Sequence, residues 1–147
     1  MSNQTNPNRP LVELKELGKS YQEGGREHVI LSGAEASLGR GEFIALVGPS
    51  GSGKSTLLNL VSGIDVPDRG SVWVDGVSLT DMTERDRTLF RRQHLGFIFQ
   101  FFNLLPTLTV EENLLLPLEL KGRVDPAHEE KARSLLREVG LEGGEGT

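Results

Sequence analysis

The stretch Gly48-Pro49-Ser50-Gly51-Ser52-Gly53-Lys54-Ser55-Thr56 limits what this chain can fold into more than any other part of it. It satisfies the spacing G-x-x-x-x-G-K-[S/T], with Gly48, Gly53, Lys54 and Ser55 at the fixed positions. Each residue type there has a physical reason. Glycines let the backbone take positive φ and approach a bound anion closely, so that successive N–H groups point into one concavity. A helix starting near Lys54 adds the positive end of its dipole at the same spot. Lys54 supplies a compact charge able to reach β- and γ-phosphates, and the Ser55 hydroxyl suits a magnesium shell otherwise made of phosphate oxygens and water. Thr56 is expected at the α-phosphate. The stretch therefore asks for a nucleoside triphosphate, ATP, with Mg2+.

The flanks agree with this reading. Phe43-Ile44-Ala45-Leu46-Val47 is apolar throughout, which predicts a strand buried on both faces as in a parallel sheet. From Lys54 to Ser62, Leu57, Leu58, Leu60 and Val61 fall at helical spacing. A chance match to the motif somewhere in a chain of this composition has a probability of about 1%. The demand for a strand before it and a helix after it lowers that further.

Elsewhere, Val12, Leu14 and Leu17 begin a strand ending near Tyr21, residues 22–27 read as a polar turn, and His28-Val29-Ile30-Leu31 returns as a second strand of a hairpin. A further short strand is expected from Ala34 to Leu38. Ser71-Val72-Trp73-Val74 is a strand that closes on the two-residue turn Asp75-Gly76. Thr83 can cap a helix from about Glu84 to Gln93, and Leu95 to Phe99 is another apolar strand closed by Gln100. Thr109 with Glu112 three residues on forms a capping-box pattern for a helix towards Leu120. Asp125-Pro126 opens a last helix with Ala132, Leu135, Leu136 and Val139 on one side, ending at Gly140.

Bulk properties exclude several classes. The 147 residues suffice for one ordinary domain, and 36% hydrophobic with 25% charged residues is globular in character. A net charge of −5 argues against a dedicated nucleic-acid binder, and the absence of cysteine removes disulfides, thiolate metal sites and cysteine nucleophiles. Residues 1–10 read as a disordered, solvated tail with neither signal-peptide nor transit-peptide character, and no apolar run approaches the roughly 20 residues of a membrane span. Arg85, Arg87, Arg91 and Arg92 alternate with Glu84 and Asp86 and read as a solvated helix face. Trp73 reads as a packed strand aromatic. His28, His94 and His128 lack ligand spacing.

The glycine loop with its following Leu57-Leu58, then Gly96-Phe97-Ile98-Phe99-Gln100, then Leu104-Leu105-Pro106-Thr107-Leu108-Thr109-Val110-Glu111-Glu112-Asn113, resembles the nucleotide-binding subunit of ABC transporters. The run from Arg91 to Asn113 is most similar to the branch serving lipoprotein release and macrolide-type export. The resemblance covers about residues 11–141. It implies an α/β, P-loop NTPase fold with a parallel core sheet, an antiparallel β-subdomain and the start of a helical subdomain near residue 101. It implies that Tyr21 stacks on adenine, and that Gln100 joins the magnesium shell and senses the γ-phosphate, sharing catalysis with Lys54. The apolar segment Phe101 to Leu108 is then the contact for a transmembrane permease subunit, with a second ATP-binding subunit joining as a head-to-tail dimer. The place implied is the cytoplasm, peripheral to the inner face of the cell membrane.

The family's signature sequence, its strand ending in Asp-Glu and its switch histidine have no counterpart here. Leu141-Glu142-Gly143-Gly144-Glu145 imitates the signature but puts Glu142 where a serine should face phosphate. Residues 11–147 are accordingly expected to be the amino-terminal portion of a longer ATPase, nearly inactive in hydrolysis alone. Two alternatives stand beside it: an ATP-binding regulatory or assembly module without transport turnover, and a soluble P-loop protein of another kind.

Overall fold

A computed structural model describes residues 9–101 and 103–141. Most of the expected tail, Phe102 of the apolar segment and the Glu142–Glu145 stretch lie outside these residues. The described chain divides into two compact units, the break falling between Gly96 and Phe97.

The first unit is built on an antiparallel sheet of order β2-β1-β3-β4. Strands β1 (Val12–Glu23) and β2 (Arg26–Leu38) form the expected hairpin, but its turn is only Gly24-Gly25, both at positive φ. The stretch Ala34–Leu38 is the far end of β2 and not a separate strand. A register shift after Leu14 leaves Glu16 at φ 48° and lets Leu14 and Leu17 both point inward. β3 (Arg69–Val74) and β4 (Val77–Ser78) are joined by Asp75-Gly76 at φ 49° and 79°, the type I′ geometry that this dipeptide predicts. Helix α1 (Lys54–Val61) and helix α2 (Glu84–His94) complete the unit. The core gathers Leu14, Leu17, Leu60, Val72, Val74, Leu79 and Phe90, so β1, β3 and both helices bury one apolar face each.

Thr83 caps α2 by accepting from the Asp86 N–H. Two of the four arginines of α2 correct the expectation of a solvated face, while Arg85 and Arg92 are exposed as expected. Arg87 is buried, donating to the Met82 carbonyl at 2.8 Å and to Glu84 at 2.7 Å, and Arg91 donates to the Gly63 carbonyl. Arg91 thus fastens α2 to the loop after α1, and the Arg87 stem packs beside Gly63, where an added Cβ would come 3.5 Å from Arg87 Cδ.

In the second unit, α3 (Val110–Glu119) starts at the full capping box, Thr109 accepting from Glu112 N–H and the Glu112 carboxylate accepting from Thr109 N–H. Helix α4 (Pro126–Glu138) starts at Asp125 and stops at Gly140, which has φ 75°. Ala132 and Leu136 are buried, whereas Leu135 and Val139 stay exposed, so the packed face is narrower than the sequence predicts. No described helix is long and apolar enough to cross a membrane.

Two predicted strands are not strands. Residues 43–47 and 95–99 carry no sheet pairing, and both runs are largely exposed, Phe43 at 98%. The reason lies in what a strand requires. An apolar segment becomes a strand when neighbours take its N–H and C=O groups and cover its faces, and no described strand pairs with either run.

Candidate nucleotide-binding site

Hairpin and helix hold the glycine loop between them. Gly53 is the N-cap of α1 at φ 84°, and Gly51 stands at φ 79°, both in the left-handed region that favours glycine. A Cβ added at Gly53 would sit 2.7 Å from Ile30 Cγ2, so β2 presses on the loop where the helix begins. No side chain caps α1 and its first turn carries no acidic residue, which leaves the positive helix end to an anion. Lys54 folds back across the loop, its Nζ donating to the carbonyls of Gly48 at 2.8 Å and Pro49 at 2.6 Å. The ammonium is thus held over the concavity that the glycines create. These features suit a phosphate chain, with Ser55 and Thr56 following directly on α1.

Tyr21 lies near the tip of the hairpin in the same unit, 41% exposed. Its hydroxyl donates to Asp65 Oδ2 at 2.8 Å, and Lys19 Nζ lies 5.2 Å from the ring centroid. Lys19 also donates to Asp65 Oδ1 at 2.9 Å and to the Val66 carbonyl at 2.8 Å, and its side chain is only 10% exposed. The Asp65 carboxylate accepting from the Tyr21 hydroxyl raises the phenol above its usual value, and partial burial adds to this. The Thr56 hydroxyl is close enough to act on the same phenol in the opposite sense. Burial alone would raise the Asp65 carboxyl, but hydrogen bonds from Lys19, Tyr21 and the Val66 N–H hold it below the usual carboxylate range. Tyr21 is thereby tied to α1, the helix that carries the phosphate loop.

Gln100 belongs to the second unit, exposed at a bend, with Phe101 and Leu104 also exposed. Asn113 shapes the segment that follows, its side chain bonding both the N–H and the carbonyl of Leu105 and the carbonyls of Leu108 and Thr109. Sequence reasoning missed Lys19, Ile30, Asp65 and Asn113. Lys19 and Tyr21 share a strand face by alternation, but nothing local links either of them to Asp65.

Residues 31–147 match the family model described as ABC transporter. The chain belongs to the ABC transporter family. It is 50% identical over 133 residues to an uncharacterized ABC transporter ATP-binding protein of Mycobacterium tuberculosis, covering 90% of this chain and 54% of that one. The lipoprotein-releasing system ATP-binding protein LolD of Pseudomonas syringae pv. tomato is 46% identical, with 90% of this chain and 59% of LolD covered. Among solved structures, the dimeric post-hydrolysis ATP-binding cassette MJ0796 bound to ADP and Pi superposes with a TM-score of 0.80 at 37% identity, covering 91% of this chain and 59% of that one. The chain thus spans somewhat over half the length of these ABC relatives. Their cassettes carry the P-loop NTPase fold, and the antiparallel sheet and helices described above are its share here.

Proposed function

We propose that the chain binds Mg-ATP on Gly48 to Thr56 and, as the nucleotide-binding part of an ABC subunit, couples ATP hydrolysis to lipoprotein release or substrate export through a membrane partner. The observation that carries the reading is the Lys54 ammonium drawn over a loop of left-handed glycines at the start of α1. The loop amides and Lys54 bind and orient the phosphates, the Ser55 hydroxyl would hold the metal, Thr56 reaches the α-phosphate and Tyr21 supports the base. Bound Mg2+ would neutralise phosphate charge and polarise the γ-phosphoryl group. The exposed Phe101, Leu104 and Leu105 offer an apolar contact for a permease subunit at the inner face of the membrane. The likeness to a dimeric cassette supports pairing with a second ATP-binding subunit.

Titration with a fluorescent ATP analogue in the presence of Mg2+ tests this reading. Lys54→Ala should lose affinity about 10- to 100-fold, the scale of a charge-assisted contact to phosphate, with its circular dichroism unchanged. Equal affinity in both proteins would overturn the assignment. Phosphate release by the 147-residue chain is expected near background. Robust Lys54-dependent release would show that it holds the catalytic parts assigned to a longer subunit.

A further inference from the structure

The platform reading of Tyr21 leaves one thing unexplained: how a half-exposed ring at a hairpin tip is kept in place to meet a base. An exposed tyrosine with two free torsions has several rotamers, and ordering it on binding opposes association. Here its hydroxyl is bonded to a carboxylate 44 residues away in sequence. Asp65 is itself fixed to α1, its N–H donating to the Asn59 carbonyl at 3.1 Å and its Oδ1 accepting from Val66 N–H at 2.7 Å. The phosphate loop opens that same helix. Lys19, paired with Asp65 and 3.7 Å from Asp68, lies over the Tyr21 ring within cation–π reach. One ring face is thus covered by a half-buried ammonium, and only the other can receive a base.

We infer that Asp65 is a positioning residue for base recognition, which fixes the Tyr21 ring relative to the phosphate loop by holding its hydroxyl and keeping Lys19 on its inner face. The inference rests on the reading of Tyr21 as the base platform. It separates two contributions that ring and hydroxyl make: the ring supplies stacking, and the hydroxyl supplies orientation through Asp65. Lys19 is committed to two carboxylates and a carbonyl, so it is no phosphate ligand. Its loss should act on the base and leave the phosphates unaffected.

The test is calorimetric titration of the full chain with Mg-ATP and, as a base-free probe, with Mg-tripolyphosphate. Tyr21→Phe keeps the ring and removes only the exposed hydroxyl, so it cannot fail by unfolding the core. It should weaken ATP about 3- to 10-fold, the scale of ordering one side chain, and leave tripolyphosphate unchanged. Asp65→Ala should weaken ATP at least as much, since it also releases Lys19, and the double variant should be no weaker than Asp65→Ala alone, because the hydroxyl contact is already lost there. Asp65→Asn should stay within about twofold of the unsubstituted chain, because its amide can donate to the phenol oxygen. Quenching of ethenoadenosine triphosphate fluorescence should fall in Tyr21→Phe and Asp65→Ala together.

Three results would overturn the inference, each in a distinguishable way. If Tyr21→Phe binds ATP like the unsubstituted chain while Tyr21→Ala is weakened, the platform stands and the positioning role falls. If Tyr21→Ala also binds normally, the platform reading falls with it. If tripolyphosphate binding declines in step with ATP, the substitutions damage the unit at large and Asp65 has no special link to the base.

Discussion

Alanine at Gly53 and at Gly51 should have unequal costs, although both glycines sit in the same loop at nearly the same φ. Gly51 at φ 79° has no atom within 4 Å of an added Cβ, so Gly51→Ala meets only the backbone penalty of a left-handed residue, about 1–2 kcal/mol. Gly53 at φ 84° carries that penalty and a collision, its Cβ arriving 2.7 Å from Ile30 Cγ2 where ordinary contact needs nearly 4 Å. Forcing β2 and the loop apart is an overpacking change of about 1–3 kcal/mol more. Gly53→Ala should therefore destabilise the first unit by about 2–5 kcal/mol. Trp73, the single tryptophan, lies in β3 and reports urea unfolding of this unit by its fluorescence. The steric part should be recoverable: Ile30→Ala placed in the Gly53→Ala background should show a favourable coupling of about 1–3 kcal/mol in a double-mutant cycle. Equal losses for the two glycines, or no coupling with Ile30, would refute the idea that the hairpin sets the start of α1.

Gly70→Ala should be worse still, because its Cβ would lie 2.1 Å from the Lys15 carbonyl oxygen, a backbone atom that cannot swing away; we expect a loss above about 3 kcal/mol or failure to fold, read by the same fluorescence. Thr109→Ala should remove about 1 kcal/mol from the second unit and Thr109→Ser much less, measured by hydrogen exchange along α3. Acid should loosen the hairpin tip. Asp65 has a folded pKa below its usual 3.8, so the stability it adds is fully present above that value and disappears as pH falls through the lower folded one. Asp65→Asn should flatten this acid limb in a pH series of Trp73-monitored unfolding, and an unchanged limb would assign it to other carboxylates.

What could be read from sequence was what a few adjacent residues decide. The loop glycines, the Thr83, Thr109 and Asp125 caps and the Asp75-Gly76 turn each depend on neighbours within about four residues, and all stand where the pattern puts them. The apolar runs at 43–47 and 95–99 needed partners from other parts of a sheet, and composition alone does not say whether those partners are present. The charged neighbours Glu84 and Asp86 make Arg87 read as solvent-facing, yet it is buried by packing that periodicity does not reveal. The Tyr21–Asp65 bond joins residues from separate elements and has no local signature.

The position of Lys54 limits how much nucleotide affinity its charge can supply. Its ammonium bonds the Gly48 and Pro49 carbonyls, so engaging a phosphate exchanges those neutral acceptors for anionic ones and does not draw a free charge out of water. At the surface of a protein a unit charge pair about 4 Å apart is worth roughly 1–4 kcal/mol, and the two carbonyl bonds given up offset part of that. A few kcal/mol remain, which is why the expected loss in Lys54→Ala is one or two orders of magnitude and not a complete abolition. The same contacts give Lys54 a second role. They keep the ammonium beside the loop, where its charge adds to the pull of the loop amides on an incoming phosphate. The cradle's selectivity for anions thus arises from the lysine and the glycines together, and a loop with intact glycines but no Lys54 should bind phosphate weakly even with its backbone geometry preserved.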